Sequence, residues 1–289
     1  MRPATKVFLD LDQAALDRAY DQPSWAPNMQ QVLQRRAAAS DAVRARRPPQ
    51  SFAYGPSPIE RLDVYATDRP AAPVMVFLHG GAWRGGEARS QAYAAETFVR
   101  AGAHWVVPEF ATVMQVGLEG MVAQVRRAVA WVVAHAASFG ADAARVYVGG
   151  HSSGGHLAGN VLVTDWKTEF GLPADAVKGG LCVSGMYDLK AVRLSARSSY
   201  VKFDDRIEHE LSPQRHLDRL TAPVVVAYAA NDSPEFQRQS REFADALRAI
   251  GKLRRLVVGD GLNHFEIPET LASADGLLGR AALELMQLT

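Results

Sequence analysis

Residues 145–162 read RVYVGGHSSGGHLAGNVL: an apolar run, a cluster of two serines, four glycines and two histidines at 149–156, then apolar residues again. The spacing predicts a strand over 145–150 and a helix over 154–164, joined by a tight turn. Within that turn Gly150-His151-Ser152-Ser153-Gly154 fits G-x-S-x-G. In this pattern the serine takes a strained backbone position, and the flanking glycines let strand and helix approach too closely for side chains. Ser152 is therefore the candidate nucleophile. Ser153 contributes a backbone N–H at the helix N-terminus, where the dipole favours an oxyanion. The rival reading is a phosphate cradle, but G-x-G-x-x-G is absent, as is the lysine of G-x-x-x-x-G-K-[ST].

Outward from this junction the chain alternates. Strands are expected at 59–66, 74–79, 104–110, 145–150, 178–185, 223–229 and 253–259, and helices at 89–101, 117–138, 154–164, 234–250 and 271–287. In the second helix Leu118, Met121, Val122, Val125, Val129 and Val132 recur at helical spacing, giving an apolar face for a sheet. Short apolar strands separated by amphipathic helices predict an α/β fold: a mostly parallel, doubly wound sheet with helices on both faces. Ligands gather at the carboxyl ends of such strands. Residues 11–47 read as helical and polar-faced, with arginines at 35, 36, 44, 46 and 47, and break at Pro48-Pro49. A small N-terminal helical cap over 1–50 is thus expected ahead of a catalytic domain over 51–289.

The chain has 289 residues, 48% of them hydrophobic and 22% charged, and a formal net charge of +1. That balance argues against nucleic acid or an anionic membrane surface as the main partner, since both select for concentrated positive charge. The single cysteine, Cys182, lies in the apolar run GGLCVSG and reads as a buried, inert thiol, so no disulfide framework forms within one chain. The first residues lack an apolar leader and a small-residue cleavage site, and no stretch approaches a membrane span. A cytoplasmic protein is expected. A homodimer is compatible with the sequence, which does not specify it.

A second predicted strand end carries His79-Gly80-Gly81-Ala82-Trp83. Small residues let backbone N–H groups point at a developing oxyanion, each donor being worth roughly 3 kcal/mol in other hydrolases. Gly81 and Ala82, with Gly80 as a further option, are the expected donors, and His79 is expected to brace the loop. An acid and a base should follow in the order Ser, Asp or Glu, His. Asp232 follows the strand at 223–229 and His264 the strand at 253–259. His264 is the one histidine of eight on a late loop at a strand end. Asp232 is the first choice to orient it, with Asp188 and Glu235 as alternatives and helix capping as the bland reading of Asp232. There is no H-E-x-x-H and no C-x-x-C, so neither a metal nor an organic cofactor is expected.

With HGGAW, GHSSGGHL, ANDSPEF and NHF in this order over roughly residues 55–275, the chain resembles α/β-hydrolases of the hormone-sensitive-lipase-like esterase group. It is most similar to the kynurenine formamidase (arylformamidase) branch, with Trp83 and His156 at matching places. The resemblance implies a triad of Ser152, Asp232 and His264, acyl transfer from a small aromatic amide to water, and an aryl formamide as substrate. Short-chain or aryl esters are the alternative, and a receptor on this fold that has lost turnover is the rival from another class. Trp83, His151 and His156 are expected to line the substrate pocket. Tyr20, Trp25 and Pro27, with Tyr200 and Phe203, are expected either to cover an aromatic substrate or to pack in the core. Two departures from the branch stand out: Glu109-Phe110-Ala111-Thr112 replaces a Tyr-Arg-Leu-type segment, and Ser153 replaces the usual alanine.

Overall fold

A computed structural model describes residues 5–289. A two-stranded ribbon, β1 (Lys6–Phe8) and β2 (Leu11–Asp12), leads into α1 (Gln13–Ala19) and α2 (Met29–Arg46). The body then runs β3 (Gln50–Ala53), β4 (Arg61–Tyr65), β5 (Ala72–Leu78), α3 (Ala95–Ala101), β6 (His104–Pro108), α4 (Val113–His135) and β7 (Ala141–His151). It continues with α5 (Ser153–Leu162), α6 (Trp166–Phe170), β8 (Val177–Val183), α7 (Lys190–Leu194) and α8 (Asp205–Glu210). It ends with β9 (Val224–Ala229), α9 (Pro234–Ala249), β10 (Leu253–Gly259) and α10 (Leu277–Leu285). Eight strands form one sheet in the order β10-β9-β8-β7-β5-β6-β4-β3, parallel except for the β6-β4 and β4-β3 pairs. Among the described residues no helix is long and apolar enough to cross a membrane.

The alternation of side chains along each strand sorts the core onto two faces. Val74, Val76 and Leu78 of β5 join the cluster that holds Val125 and Val129 of α4, Leu157 of α5 and Phe236 of α9. Met75 and Phe77 of the same strand join Phe98 of α3 and Leu278 of α10 on the opposite face. The helices therefore divide between the two faces of a sheet in which β5 and β9 are buried throughout and β7 is buried over its second half.

The structure redraws the N-terminal reading. The helix expected over 11–47 is interrupted, because Pro23 and Pro27 fall in the stretch between α1 and α2, which a single 3-10 turn (Gln22–Trp25) spans. The arginines of α2 do not form a merely solvated face: Arg35, Arg44 and Arg46 pair with Glu269, Asp63 and Glu96 of the sheet-bearing body. The linker also holds an element the alternation did not suggest, the edge strand β3. Its mostly exposed residues give no period-two signal, and β4 alone holds it. Helix α4 begins at Val113, ahead of the expected 117, behind a capping box in which the Thr112 N–H donates to Gln115 Oε1 (2.9 Å). Gly117 breaks its first turn at φ 69°, ψ 173°.

At the centre of the sheet β7 is flanked by β5 and β8, so the turn into α5 has neighbours on both sides. A Cβ built on Gly154 would stand 2.1 Å from the Leu78 carbonyl oxygen at the end of β5. Substituting Gly154→Ala is expected to lower stability by about 3 kcal/mol, read as a fall in the urea midpoint. An unchanged midpoint would mean that the turn can back away from β5.

Candidate active site

Ser152 sits between β7 and α5 at φ 58°, ψ −124°, a conformation a side-chain-bearing residue adopts only under compulsion. Its N–H donates to the Val183 carbonyl at the end of β8 (2.9 Å), and its own carbonyl accepts from Gly155 (2.9 Å). The serine is thus fixed at the strand ends with its hydroxyl turned from the usual path of either element.

His264 reaches it from the loop after β10: the Ser152 hydroxyl donates to Nε2 (2.9 Å) while Nδ1–H donates to Asp232 Oδ1 (2.6 Å). All three side chains are buried. The other two carboxylates weighed for this role are held elsewhere. Asp188 forms a two-bond fork with Arg215, and Glu235 one with Arg238 while also accepting from the Tyr20 hydroxyl. Asp232 has two more donors on Oδ2, the Ala229 N–H (2.9 Å) and the Ser184 hydroxyl (2.6 Å). Ser184 has φ 45° directly after β8. Nothing in the sequence marks it, because its role depends on β8 lying beside β9.

The loop after β5 carries positive φ at Gly81 (130°), Ala82 (54°) and Trp83 (62°). Gly81 and Ala82 make no backbone hydrogen bond through their own N–H, and Ser153 opens α5, where first-turn N–H groups lack partners within the helix. A Cβ on Gly80 would meet Ser152 Cβ at 3.1 Å, which places this loop against the serine. His79 braces it: Nδ1–H donates to the Gly80 carbonyl (3.0 Å), Nε2 contacts Glu109 Oε1 (3.1 Å), and the ring stacks on Phe110 at 4.1 Å. Glu109 also accepts from the Ala88 N–H (2.9 Å). Burial raises its carboxyl, but the His79 contact and the backbone donors outweigh that and leave it below the usual carboxylate range. The residue that departs from the resembled pattern is thus the one that ties down the loop.

A cleft of about 780 Å³ opens over Ser152 and His264 and is also lined by Gly81, Ala82 and His151. Burial, the neighbouring His264 and Arg36 push the His151 imidazole well below its ordinary range, and its Nε2 has no partner among the described residues. Trp83 and His156 correct the expectation, because both are buried and neither lines the cleft. The Trp83 indole N–H donates to His156 Nδ1 (3.2 Å), and His156 Nε2–H donates to the Leu211 carbonyl (2.8 Å). A neutral ring with one acceptor and one donor fits this pair, and burial pushes His156 down to about 4 although the Leu211 bond pulls the other way. Of the residues expected as cover, Tyr20 and Tyr200 line the cleft, whereas Trp25, Pro27 and Phe203 do not.

The segment from Tyr20 to Asn28 is bonded to both loops that carry Asp232 and His264. Gln22 Nε2 donates to the Ser233 hydroxyl (3.3 Å), next to Asp232. Asn28 Nδ2 donates to Glu266 (2.7 Å) and its Oδ1 accepts from Asn263 (2.7 Å), next to His264. For metal binding, one grouping among the described residues brings ligand-type atoms within 4.8 Å of one another, His209, Glu210 and His216. None of the three lines the cleft.

Against known proteins, the BD-FAE family model matches residues 62–177. The chain is 31% identical to a kynurenine formamidase of Danio rerio, with 94% of this chain and 95% of that one covered. It is 30% identical to a kynurenine formamidase of Salmo salar, covering 96% and 97%. In structure it is similar to the Pyrobaculum calidifontis esterase, with a TM-score of 0.70 at 19% identity over 96% of this chain and 99% of that one. The fold is that of the α/β-hydrolases.

Two outcomes follow from this geometry. Asp232→Asn should lower kcat by about 10³- to 10⁴-fold, and Asp188→Asn should cause no comparable drop; equal losses would reassign the acid. For His156, the native ring is held neutral to about pH 4 while the unfolded ring protonates near 6.5. The unfolded state then binds more protons between these values, so the stabilisation is full above pH 6.5 and falls as pH drops toward 4. Urea unfolding at pH 7 and pH 5 should show about 2 kcal/mol of this loss, absent in His156→Gln; an identical pH slope in the variant would refute it.

Proposed function

The chain belongs to the kynurenine formamidase family, and we propose that it is a serine hydrolase that removes a formyl group from an N-formylated arylamine of the kynurenine type, with Ser152 as nucleophile. The observation that carries this reading is the buried row from the Ser152 hydroxyl to His264 (2.9 Å) to Asp232 (2.6 Å) at the floor of a cleft. A serine hydroxyl is a weak nucleophile at neutral pH and needs a base in hydrogen-bond reach. His264 Nε2 takes its proton as Oγ attacks the formyl carbon. Asp232 fixes the tautomer that leaves Nε2 free to accept and stabilises the imidazolium that forms.

The negative charge moves to the formyl oxygen, which the N–H groups of Gly81, Ala82 and Ser153 receive. The intermediate collapses as His264 returns the proton to the departing nitrogen. An arylamine leaves more readily than an alkylamine, which favours an aromatic formamide. Water, activated by the same histidine, then releases formate and restores Ser152. An aryl ester can follow the same course with a phenol as leaving group, and this is the second reading.

Rates on N-formylkynurenine and p-nitrophenyl acetate test the choice, with Ser152→Ala as the control that should lose on the order of 10⁶ in kcat on both. Brisk cleavage of the formamide is the expected result. Negligible formamide cleavage beside brisk ester cleavage would overturn the formamide reading, and full activity in Ser152→Ala would overturn the mechanism.

A further inference from the structure

Arg197 lines the same cleft as Ser152 and His264, yet it is only 6% exposed. Among the described residues it is the one buried arginine or lysine. No carboxylate of the described chain pairs with it, whereas Arg35, Arg44, Arg193, Arg215 and Arg238 all find one. Of the five N–H groups of a guanidinium, the protein engages two: one donates to the Tyr200 hydroxyl (3.3 Å) and one to the Tyr20 carbonyl (3.1 Å). The buried Nε has no partner. Around the cation stand aromatic faces, Trp83 at 5.6 Å, Tyr20 at 5.7 Å and Phe236 at 6.0 Å. These attract a cation but do not neutralise it, and a buried charge without a counterion is costly to retain.

The rest of the cleft points the same way. Arg36 and Arg84 line it too, and neither forms an ion pair among the described residues. Buried polar atoms without a protein partner also gather there: Gln22 Oε1, Arg36 Nε and His151 Nε2, besides Arg197 Nε. Three acidic residues share the lining, of which Asp21 and Glu87 are exposed, while Asp17 accepts from the Ala196 N–H (2.6 Å). One ring, Phe236, separates the cation from the base, lying 4.8 Å from the His264 ring and 6.0 Å from the Arg197 guanidinium. A single small aromatic substrate can therefore touch both.

We propose that Arg197 determines specificity by binding a carboxylate carried on the leaving-group side of the substrate, so that the enzyme prefers anionic aromatic substrates to neutral ones. This rests on the reading of Ser152 as the nucleophile of this cleft. It does not depend on whether the bond cleaved is a formamide or an ester. In either reading the acyl group is small, a formyl or an acetyl without a carboxylate, which places the anion on the arylamine or phenol. There a planar guanidinium with unused N–H groups can receive both oxygens.

The test uses the full-length protein and two matched pairs, N-formylkynurenine with its carboxamide, and 4-acetoxybenzoate with 4-acetoxybenzamide. The wild type should favour the acid over the amide in each cleaved pair by about tenfold or more in kcat/KM, carried mainly by KM. Arg197→Met should bring that ratio close to unity, and Arg197→Lys should restore part of it. A merely structural role would lower both members of a pair alike, and an unchanged ratio in Arg197→Met would overturn the proposal. Should Arg197→Met fail to fold, inhibition of wild-type p-nitrophenyl acetate turnover by kynurenine and by its carboxamide decides. Tighter inhibition by the acid supports the proposal, and equal inhibition overturns it. If neither formamide is cleaved while 4-acetoxybenzoate outruns its amide, the formamide reading falls and Arg197 keeps its role. If both formamides are cleaved equally well, the converse holds.

Discussion

The structure depends on one constraint: Ser152 must hold φ 58°, ψ −124° at the end of the central strand. That conformation is disfavoured for any residue with a Cβ, so the surroundings have to impose it. They do so from three sides. The Val183 carbonyl of β8 takes the serine N–H, the carboxyl end of β5 presses against Gly154, and the Gly80 loop closes over the top. Each of these contacts requires a backbone to approach where a side chain would stand. Glycines permit it: an added Cβ would stand 2.8 Å from the Val183 carbonyl oxygen at Gly155, 2.1 Å from the Leu78 carbonyl oxygen at Gly154 and 2.8 Å from the His151 carbonyl oxygen at Gly80.

Around this fixed hydroxyl the polar groups are arranged in shells that hold one another. Asp232 accepts from three donors, His264 among them. The His264 loop is tied to the start of α2 through Asn28, the Asp232 loop to the N-terminal segment through Gln22, and the first turn of α9 to that segment through Tyr20. On the other side His79 and Glu109 secure the loop that faces the serine. In a low-dielectric interior such chains of satisfied hydrogen bonds set positions sharply, and the same environment penalises any group left without a partner. This gives weight to the cleft-lining groups that have no partner among the described residues. The N-terminal segment completes the lining with Tyr20 and Gln22 while bracing the loops of Asp232 and His264, so it is a wall of the cleft as well as its clamp.

Much was legible in the sequence because it was written locally. Strand and helix periods fix which residues face the sheet, and a turn of the G-x-S-x-G type names its own serine. His264 was found from its position after a late strand. What was misread or missed has a common physical cause. An arginine-rich polar stretch reads as one helix in spite of Pro23 and Pro27, and its ion-pair partners Asp63, Glu96 and Glu269 lie too far along the chain for the local sequence to show them. Trp83 and His156 stand at places that match the resembled branch, which is what makes them read as pocket residues. They bond instead to each other behind the cleft, because α5 turns His156 into the core.

By itself, then, the sequence determined the order of elements, the layered α/β plan and the identity of the strained serine, since hydrophobic period and glycine spacing act over a few residues. Tertiary structure alone decided which carboxylate meets His264, because Asp188, Asp232 and Glu235 all offer a carboxylate near a strand end and part company in which arginine or histidine the fold brings to each. It alone placed Ser184 behind Asp232 and Glu109 behind His79, and it alone left Arg197 in an aromatic cage without a counterion. Pairing between charges is a property of distance, and the distances are set by which strands lie side by side.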